Sequence, residues 1–313
     1  MARSAGRLFK RNTAMTCSMC GDRAEKYFPA KHLEHFFHCQ NCGGYFNAET
    51  SYPKYEETYF AERAAPAFLG SAIGKIFLIF PFLYALKIKK LISKNSWILD
   101  YGCGGGKMVS YLRKRGFCVD GFDPSPSAVF LAQKNNLPVY GAIPDKKYGL
   151  ITFWHSLEHT NQPLRDFEAC KKYLAKNAKV LIAIPNGDSI EAAIARSRWF
   201  CYDWPYHRVH FTPESLSMML RRAGFRVVSI DYFNPGYSIP SLAQTFLNFF
   251  MPKNALYSLV ANRRAEEGGT KLILLGILSV FLIVLFSPLL AVVFFISILL
   301  KRPGTIILIA ELV

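Results

Sequence analysis

From Trp97 onward the chain alternates short apolar runs with stretches of helical period, separated by glycine and proline. Trp97–Tyr101 (WILDY) reads as a strand, the glycines of 102–106 as a turn, and the residues up to about Gly116 as a helix. The same reading gives strands at 117–123, 137–141, 150–154, 179–186 and 225–233, with helices at 125–136 and 163–175 between them. The helix at 212–224 carries its own punctuation: Thr212 as N-cap, Pro213 at the first helical position and Gly224 as stop. Thr305–Leu312 (TIILIAEL) is apolar and β-branched and predicts one more strand. This alternation predicts an α/β fold with a mostly parallel sheet covered by helices on both faces.

Composition narrows the class. The chain has 313 residues, 51% hydrophobic and 19% charged, which excludes a disordered or low-complexity protein. Lys and Arg outnumber Asp and Glu by 38 to 22, a net charge of +16. Such an excess suits a polyanion, either nucleic acid or an anionic membrane surface.

The segment Asp100-Tyr101-Gly102-Cys103-Gly104-Gly105-Gly106 joins the first strand to the first helix of the sheet. Glycines there let the backbone pass close to a ligand lying over the strand's carboxyl end. Asp123, at the end of the second strand, is placed to accept hydrogen bonds from ribose hydroxyls. A dinucleotide fingerprint G-x-G-x-x-G fails, because Lys107 stands at its third glycine. An acid two residues before the first glycine suits a cationic, amine-bearing ligand instead.

These motifs resemble those of the class I S-adenosylmethionine-dependent methyltransferases, in particular the ubiquinone-type and bacterial cell-surface glycan branch. The resemblance continues through FDPSPSAV at 122–129, LITFWHSLEH at 150–159, VLIAIPN at 180–186 and PYHRVHFTPESLSMMLRRAGF at 205–225. It implies a Rossmann-like seven-stranded sheet. It also implies S-adenosylmethionine as cofactor, held by Asp100, Gly102, Cys103, Gly104, Gly106, Asp123, Pro124 and Trp154. The chain departs from the family in having Gly149 before the fourth strand and no acid directly after the third, where Asp145 is the nearest.

After the fourth strand comes His155-Ser156-Leu157-Glu158-His159. Three readings stand side by side. The resemblance implies a divalent cation at Glu158 and His159. Imidazole titrates near neutrality, so His155 or His159 can act as a general base. Glu158 and His159 can also simply brace the loop. A second cluster, Trp204-Pro205-Tyr206-His207-Arg208-Val209-His210, lies where this fold places acceptor-side loops. There His207 is a candidate base and Arg208 a candidate anion-binding group. The catalytic candidates are therefore His155, Glu158, His159 and His207.

Near the N-terminus, Cys17 and Cys20 form one Cys-x-x-Cys pair and Cys39 and Cys42 another, each followed by glycine. This is the spacing of a zinc ribbon with four thiolate ligands. The ribbon carries nearly balanced charge, Arg23, Lys26 and Lys31 against Asp22, Glu25, Glu34 and Glu49, which argues against nucleic acid as partner.

The run 272–300 contains no charged residue and is a membrane element by length. In the resembled fold the last strand inserts antiparallel beside the sixth, so a single crossing would tear the sheet. Ser287-Pro288 divides the run into pieces of roughly 22 and 18 Å, each short of the bilayer core. Proline is a natural break. The expectation is a re-entrant helical hairpin broken at Pro288, with basic flanks Arg263, Arg264, Lys271, Lys301 and Arg302 on the cytoplasmic face. The apolar-basic stretch 68–92 is expected beside it at the interface.

The domain plan is a zinc ribbon at 1–50, a linker and interfacial helix at 51–94, a methyltransferase domain at 95–239 plus 303–313, and a membrane insertion at 240–302. The function expected is a methyltransferase at the cytoplasmic face of the inner membrane, O-methylating a lipid-linked or cell-envelope glycan or another amphipathic small molecule. The alternatives are a soluble nucleotide-sugar or quinone-type substrate, or a non-catalytic scaffold that keeps the donor fold.

Overall fold

The computed structural model describes residues 15–26, 36–47, 79–93, 95–203, 205–260 and 269–313. The linker expected at 51–66, the first part of 68–92, and His32, His35, Trp204, Arg263 and Arg264 lie outside these residues.

Strands β1 (Met15–Thr16), β2 (Arg23–Lys26), β3 (Phe36–His38) and β4 (Tyr45–Asn47) form a small antiparallel sheet, completed as its fifth strand by Val209–His210 from far along the chain. Helix α1 (Ile79–Leu91) leads into the large sheet. There the chain runs β5 (Trp97–Tyr101), α2 (Lys107–Arg113), β6 (Cys118–Phe122), α3 (Pro126–Lys134), β7 (Val139–Tyr140) and β8 (Tyr148–Trp154). Next come α4 (Pro163–Ala169), β9 (Leu174–Pro185), α5 (Ile190–Ala195), β10 (Val209–His210), α6 (Pro213–Arg222) and β11 (Phe225–Asp231). Helices α7 (Pro235–Leu247), α8 (Ala255–Val260) and α9 (Gly269–Leu299) precede the last strand, β12 (Thr305–Leu312).

The large sheet has seven strands in the order β11-β12-β9-β8-β5-β6-β7. Strands β5 to β9 pair in parallel, and β12 inserts antiparallel between β9 and β11. This is the Rossmann-like methyltransferase sheet that the sequence predicts. Its central strands are buried on both faces: Ile98, Leu99, Leu150, Ile151, Leu181 and Ile182 have no exposed surface. Helix α6 begins with a reciprocal cap, Thr212 Oγ1 accepting from Ser215 N–H and Ser215 Oγ from Thr212 N–H.

Two boundaries differ from expectation. The third strand shrinks to Val139–Tyr140. The helix expected to reach residue 175 ends at Ala169, and β9 starts early, at Leu174, which pairs with Tyr148. Leu174 and Ala178 are both buried, a four-residue spacing that mimics a helix in sequence. Asn177, at φ 59°, kinks the strand and resets its alternation.

The hairpin broken at Pro288 does not form. Residues 269–299 are one continuous helix with Pro288 inside it. The outgoing limb is α7 and α8, and α9 returns antiparallel along them. Phe233 meets Phe294, Phe246 meets Phe286, and Ser279 Oγ lies 3.4 Å from Met251 Sδ. Departure and return both end at the sheet, at β11 and β12.

Candidate active site

The carboxyl ends of β5 and β6 and the loop after β8 converge on one edge of the sheet. Asp100 is buried and accepts from Thr152 Oγ1 at 3.0 Å. Burial pushes its carboxyl up to about 7. The glycine turn holds its shape through Gly102 and Gly104, at φ 71° and 54°, where a side chain would be strained. A Cβ on Gly102 would also stand 2.5 Å from Ser156 Cβ, so the loop after β8 closes directly on the turn. Asp123 ties the turn to β6, with Oδ2 accepting from Gly104 N–H at 2.8 Å and Oδ1 from Ser125 N–H at 2.9 Å. Each oxygen keeps a second lone pair for a ligand hydroxyl. Cys103 and Pro124 flank these contacts in sequence, and Gly106, at φ 78°, caps α2. Asp145 is exposed on the loop after β7.

Trp154 ends β8, and its Nε1 is buried with no partner among the described residues. His155 follows at φ 50°, a left-handed conformation that a non-glycine residue adopts only when its surroundings impose it. Its ring lies 3.9 Å from that of Tyr237, and its Nδ1 sits 3.2 Å from Glu158 Oε1. Glu158 is buried, and neither of its oxygens has a hydrogen-bond partner among the described residues. Burial disfavours its charge, but the imidazoles around it, His155 first, outweigh this and hold the carboxyl at about 2.

The ligand atoms of Glu158, His159 and His207 lie within 4.8 Å of one another. His159 Nδ1 is 3.0 Å from Tyr206 O, and His207 Nδ1 is 2.7 Å from Cys201 O. A carbonyl only accepts, so both Nδ1 atoms carry protons. Burial first, and then neighbouring His207, lower the His159 pKa to about 4, so its ring is neutral at pH 7. A buried carboxylate grouped with two imidazoles, each anchored through one ring nitrogen, fits a divalent cation.

The four cysteines of the small sheet are buried and reduced. Their sulfurs lie within 4.8 Å of one another, with Cys17 to Cys42 at 3.7 Å and Cys20 to Cys39 at 3.4 Å. Thiolates held tetrahedrally at about 2.3 Å from zinc lie roughly 3.8 Å apart, so these residues fit one zinc ion. The hydrogen bond with Cys42 pulls the Cys17 thiol down to about 5, while burial pushes Cys20 up to about 11.

Residues 81–230 match the family model of a methyltransferase domain. These residues form a methyltransferase domain. The match supports S-adenosylmethionine as the donor. The methyltransferase is similar in structure to a S-adenosylmethionine-dependent methyltransferase from Archaeoglobus fulgidus, with 18% identity, a TM-score of 0.45, and coverage of 77% of this chain and 100% of that one. It is also similar to the cyclopropane synthase MmaA2 from Mycobacterium tuberculosis, with 16% identity, a TM-score of 0.48, and coverage of 84% and 100%. A search of the curated proteins finds no match.

The methyltransferase brings to its site several residues that sequence reading passed over. Tyr84 of α1 stacks 4.8 Å from Trp154 and donates from its hydroxyl to Asn234 Oδ1. Asn234 is fully buried, and Tyr237 lies against both Tyr84 and His155. The segment Asn234-Pro235-Gly236-Tyr237 reads in sequence as a plain turn after the sixth strand; folded, it is the start of α7 and one wall of the site. Its polar-plus-aromatic content was the available signal. Arg208 is buried and bonds Asn161 Oδ1 through Nε at 2.7 Å, a contact that fixes the loop.

Proposed function

We propose that this methyltransferase works at a membrane surface and O-methylates an amphipathic acceptor, a lipid-linked or cell-envelope glycan or a molecule of similar character. The observation that carries the membrane reading is the outer face of α9. Ile273, Ile277, Phe281, Val284, Val292, Phe295 and Leu299 form an exposed apolar stripe along the whole helix, from Ile273 at 65% to Leu299 at 80%. Ile273–Leu299 is long and apolar enough to enter a bilayer. Because α7 and α8 line its other side, the favoured placement is along one leaflet, not across two. Phe82, Leu83 and Leu86 on α1 are also exposed, and Lys89 and Lys90 in its last turn suit anionic headgroups. Lys301 and Arg302 at the return favour the cytoplasmic face.

In this reading Asp100 receives the donor's ammonium and Asp123 its ribose, with Gly102, Cys103, Gly104, Gly106, Pro124 and Trp154 completing the cradle. The sulfonium is already activated, so alignment supplies much of the rate. His155 is the favoured base, since Nδ1 faces Glu158 and Nε2 is buried with no partner among the described residues. Glu158 orients that ring and stabilises it once protonated. Glu158, His159 and His207 would hold a divalent cation, which when bound lowers the pKa of an acceptor hydroxyl. Cys17, Cys20, Cys39 and Cys42 would hold a structural zinc.

The test uses purified protein, donor labelled in its methyl group, and vesicles of total bacterial lipid. Label passing into the organic-extractable fraction supports the reading. Protein that neither floats with anionic vesicles nor labels any lipid refutes it.

A further inference from the structure

The small cysteine sheet is not a separate appendage. Its strand β4 pairs with β10, which completes the sheet, Phe46 opposite Val209 and Tyr45 opposite His210. Asn47 N–H donates to Arg208 O at 2.8 Å, extending that ladder by one step. Thr212 Oγ1, just beyond β10, donates to the carbonyl of ligand candidate Cys42 at 3.1 Å. From β3, Phe36 is buried in a cluster with Trp199, Cys201 and Tyr202, its ring 6.2 Å from Tyr202 and 5.4 Å from His210.

The same loop faces the active site on its other side. Arg208 N–H donates to Glu158 O at 2.7 Å. Tyr206 O receives His159 Nδ1, and Cys201 O receives His207 Nδ1. The loop 199–212 is thus stitched to the cysteine sheet along one edge and to Glu158, His159 and His207 along the other. Asp100, by contrast, stands on β5 of the large sheet, and Asp123 lies directly after the end of β6.

We infer that the cysteine sheet is a splint for the acceptor-side loop: its metal fixes the position of His207 against Glu158 and His159, and leaves donor binding alone. Phe36 and the strand pair β4–β10 are the positioning elements. The inference rests on the reading of that cluster as the catalytic side of the site. The physical ground is local stability: the strands of the small sheet are two to four residues long and joined by the Cys-x-x-Cys knuckles, so loss of the knuckles' ligand loosens the ladder to β10 even though Met19, Phe37 and Phe46 reach the main core.

Hydrogen exchange of the full chain in lipid nanodiscs tests this, comparing zinc-loaded protein with protein stripped by a chelator. Amides of 205–212 should exchange about tenfold faster after stripping, while those of 97–123 stay unchanged. Calorimetry should show S-adenosylmethionine affinity preserved, and Mn2+ affinity at the Glu158 cluster reduced about tenfold. Phe36→Ala, which keeps all four cysteines and its zinc, should reproduce the faster exchange at 205–212. Unchanged exchange there after zinc loss overturns the splint, as does an equal rise at 97–123. If zinc-loaded protein binds no Mn2+ but the exchange pattern holds, the cation reading fails and the splint stands.

Discussion

Ser287 Oγ donates a 2.8 Å hydrogen bond to the carbonyl of Val284, the one that Pro288 leaves without its N–H partner. The residue beside the proline thus repairs the gap that the proline makes, and α9 continues through it. This is why the expected break does not occur.

Ser287→Ala should therefore lower the stability of the lipid-bound protein by about 1 kcal/mol, the worth of one hydrogen bond. In a Pro288→Ala background the same change should cost almost nothing, because residue 288 then supplies its own N–H. Thermal unfolding in nanodiscs reads both; equal losses in the two backgrounds would show that Ser287 does not serve the proline gap.

Donor binding should depend on pH through Asp100. Its folded pKa is raised to about 7 with no donor bound. Above pH 7 the carboxylate is ready for an ammonium, and below it a proton must first leave. S-adenosylmethionine affinity should fall as pH drops from 8 to 6, with a proton released on binding that calorimetry in buffers of different ionisation heat will count. Asp100→Asn should weaken binding and abolish that proton release.

Gly102→Ala should remove donor binding. The left-handed φ costs a side chain about 1–2 kcal/mol, and the Ser156 contact adds to it. Pairing it with Ser156→Gly should restore part of the thermal stability, since only the clash is relieved and the strained φ remains. No recovery in melting temperature would place the damage elsewhere.

Glu191 is buried between α5 and α7, accepting from Ser241 and Thr245 hydroxyls at 3.0 Å each, and burial raises its pKa to about 7. The folded state thus keeps its proton where the unfolded chain, near 4.5, has lost it. Stability should fall as pH rises from about 4.5 to 7, and Glu191→Gln should remove that slope. Denaturant unfolding at pH 5 and pH 8 checks it: the variant's advantage over wild type should be greater at pH 8.

Much of the donor side was legible because it is local. Asp100, the glycines and Asp123 sit at strand ends, and strand ends are set by short apolar runs and glycine, which sequence displays directly. The paired Cys-x-x-Cys knuckles are likewise short-range. The acceptor side was not local. Tyr84, Asn234 and Tyr237 come from two helices far apart in the chain, and nothing in either segment alone shows that they meet at Trp154 and His155.

The sequence alone settled the alternation of strands and helices, the glycine turn with its two acids, and the great apolar run. These follow from nearest-neighbour chemistry: the period of burial, the conformations glycine allows, and the length of uncharged chain. Only the tertiary structure decided the rest. It grouped His207 with Glu158 and His159 because the chain there is tied on one side to β4 of the small sheet and on the other to the Glu158 carbonyl. It gave α9 its partner in α7 and α8, and let Ser287 carry the helix through Pro288. A proline's effect depends on whether a donor stands within reach of the orphaned carbonyl, and reach is a property of folded space.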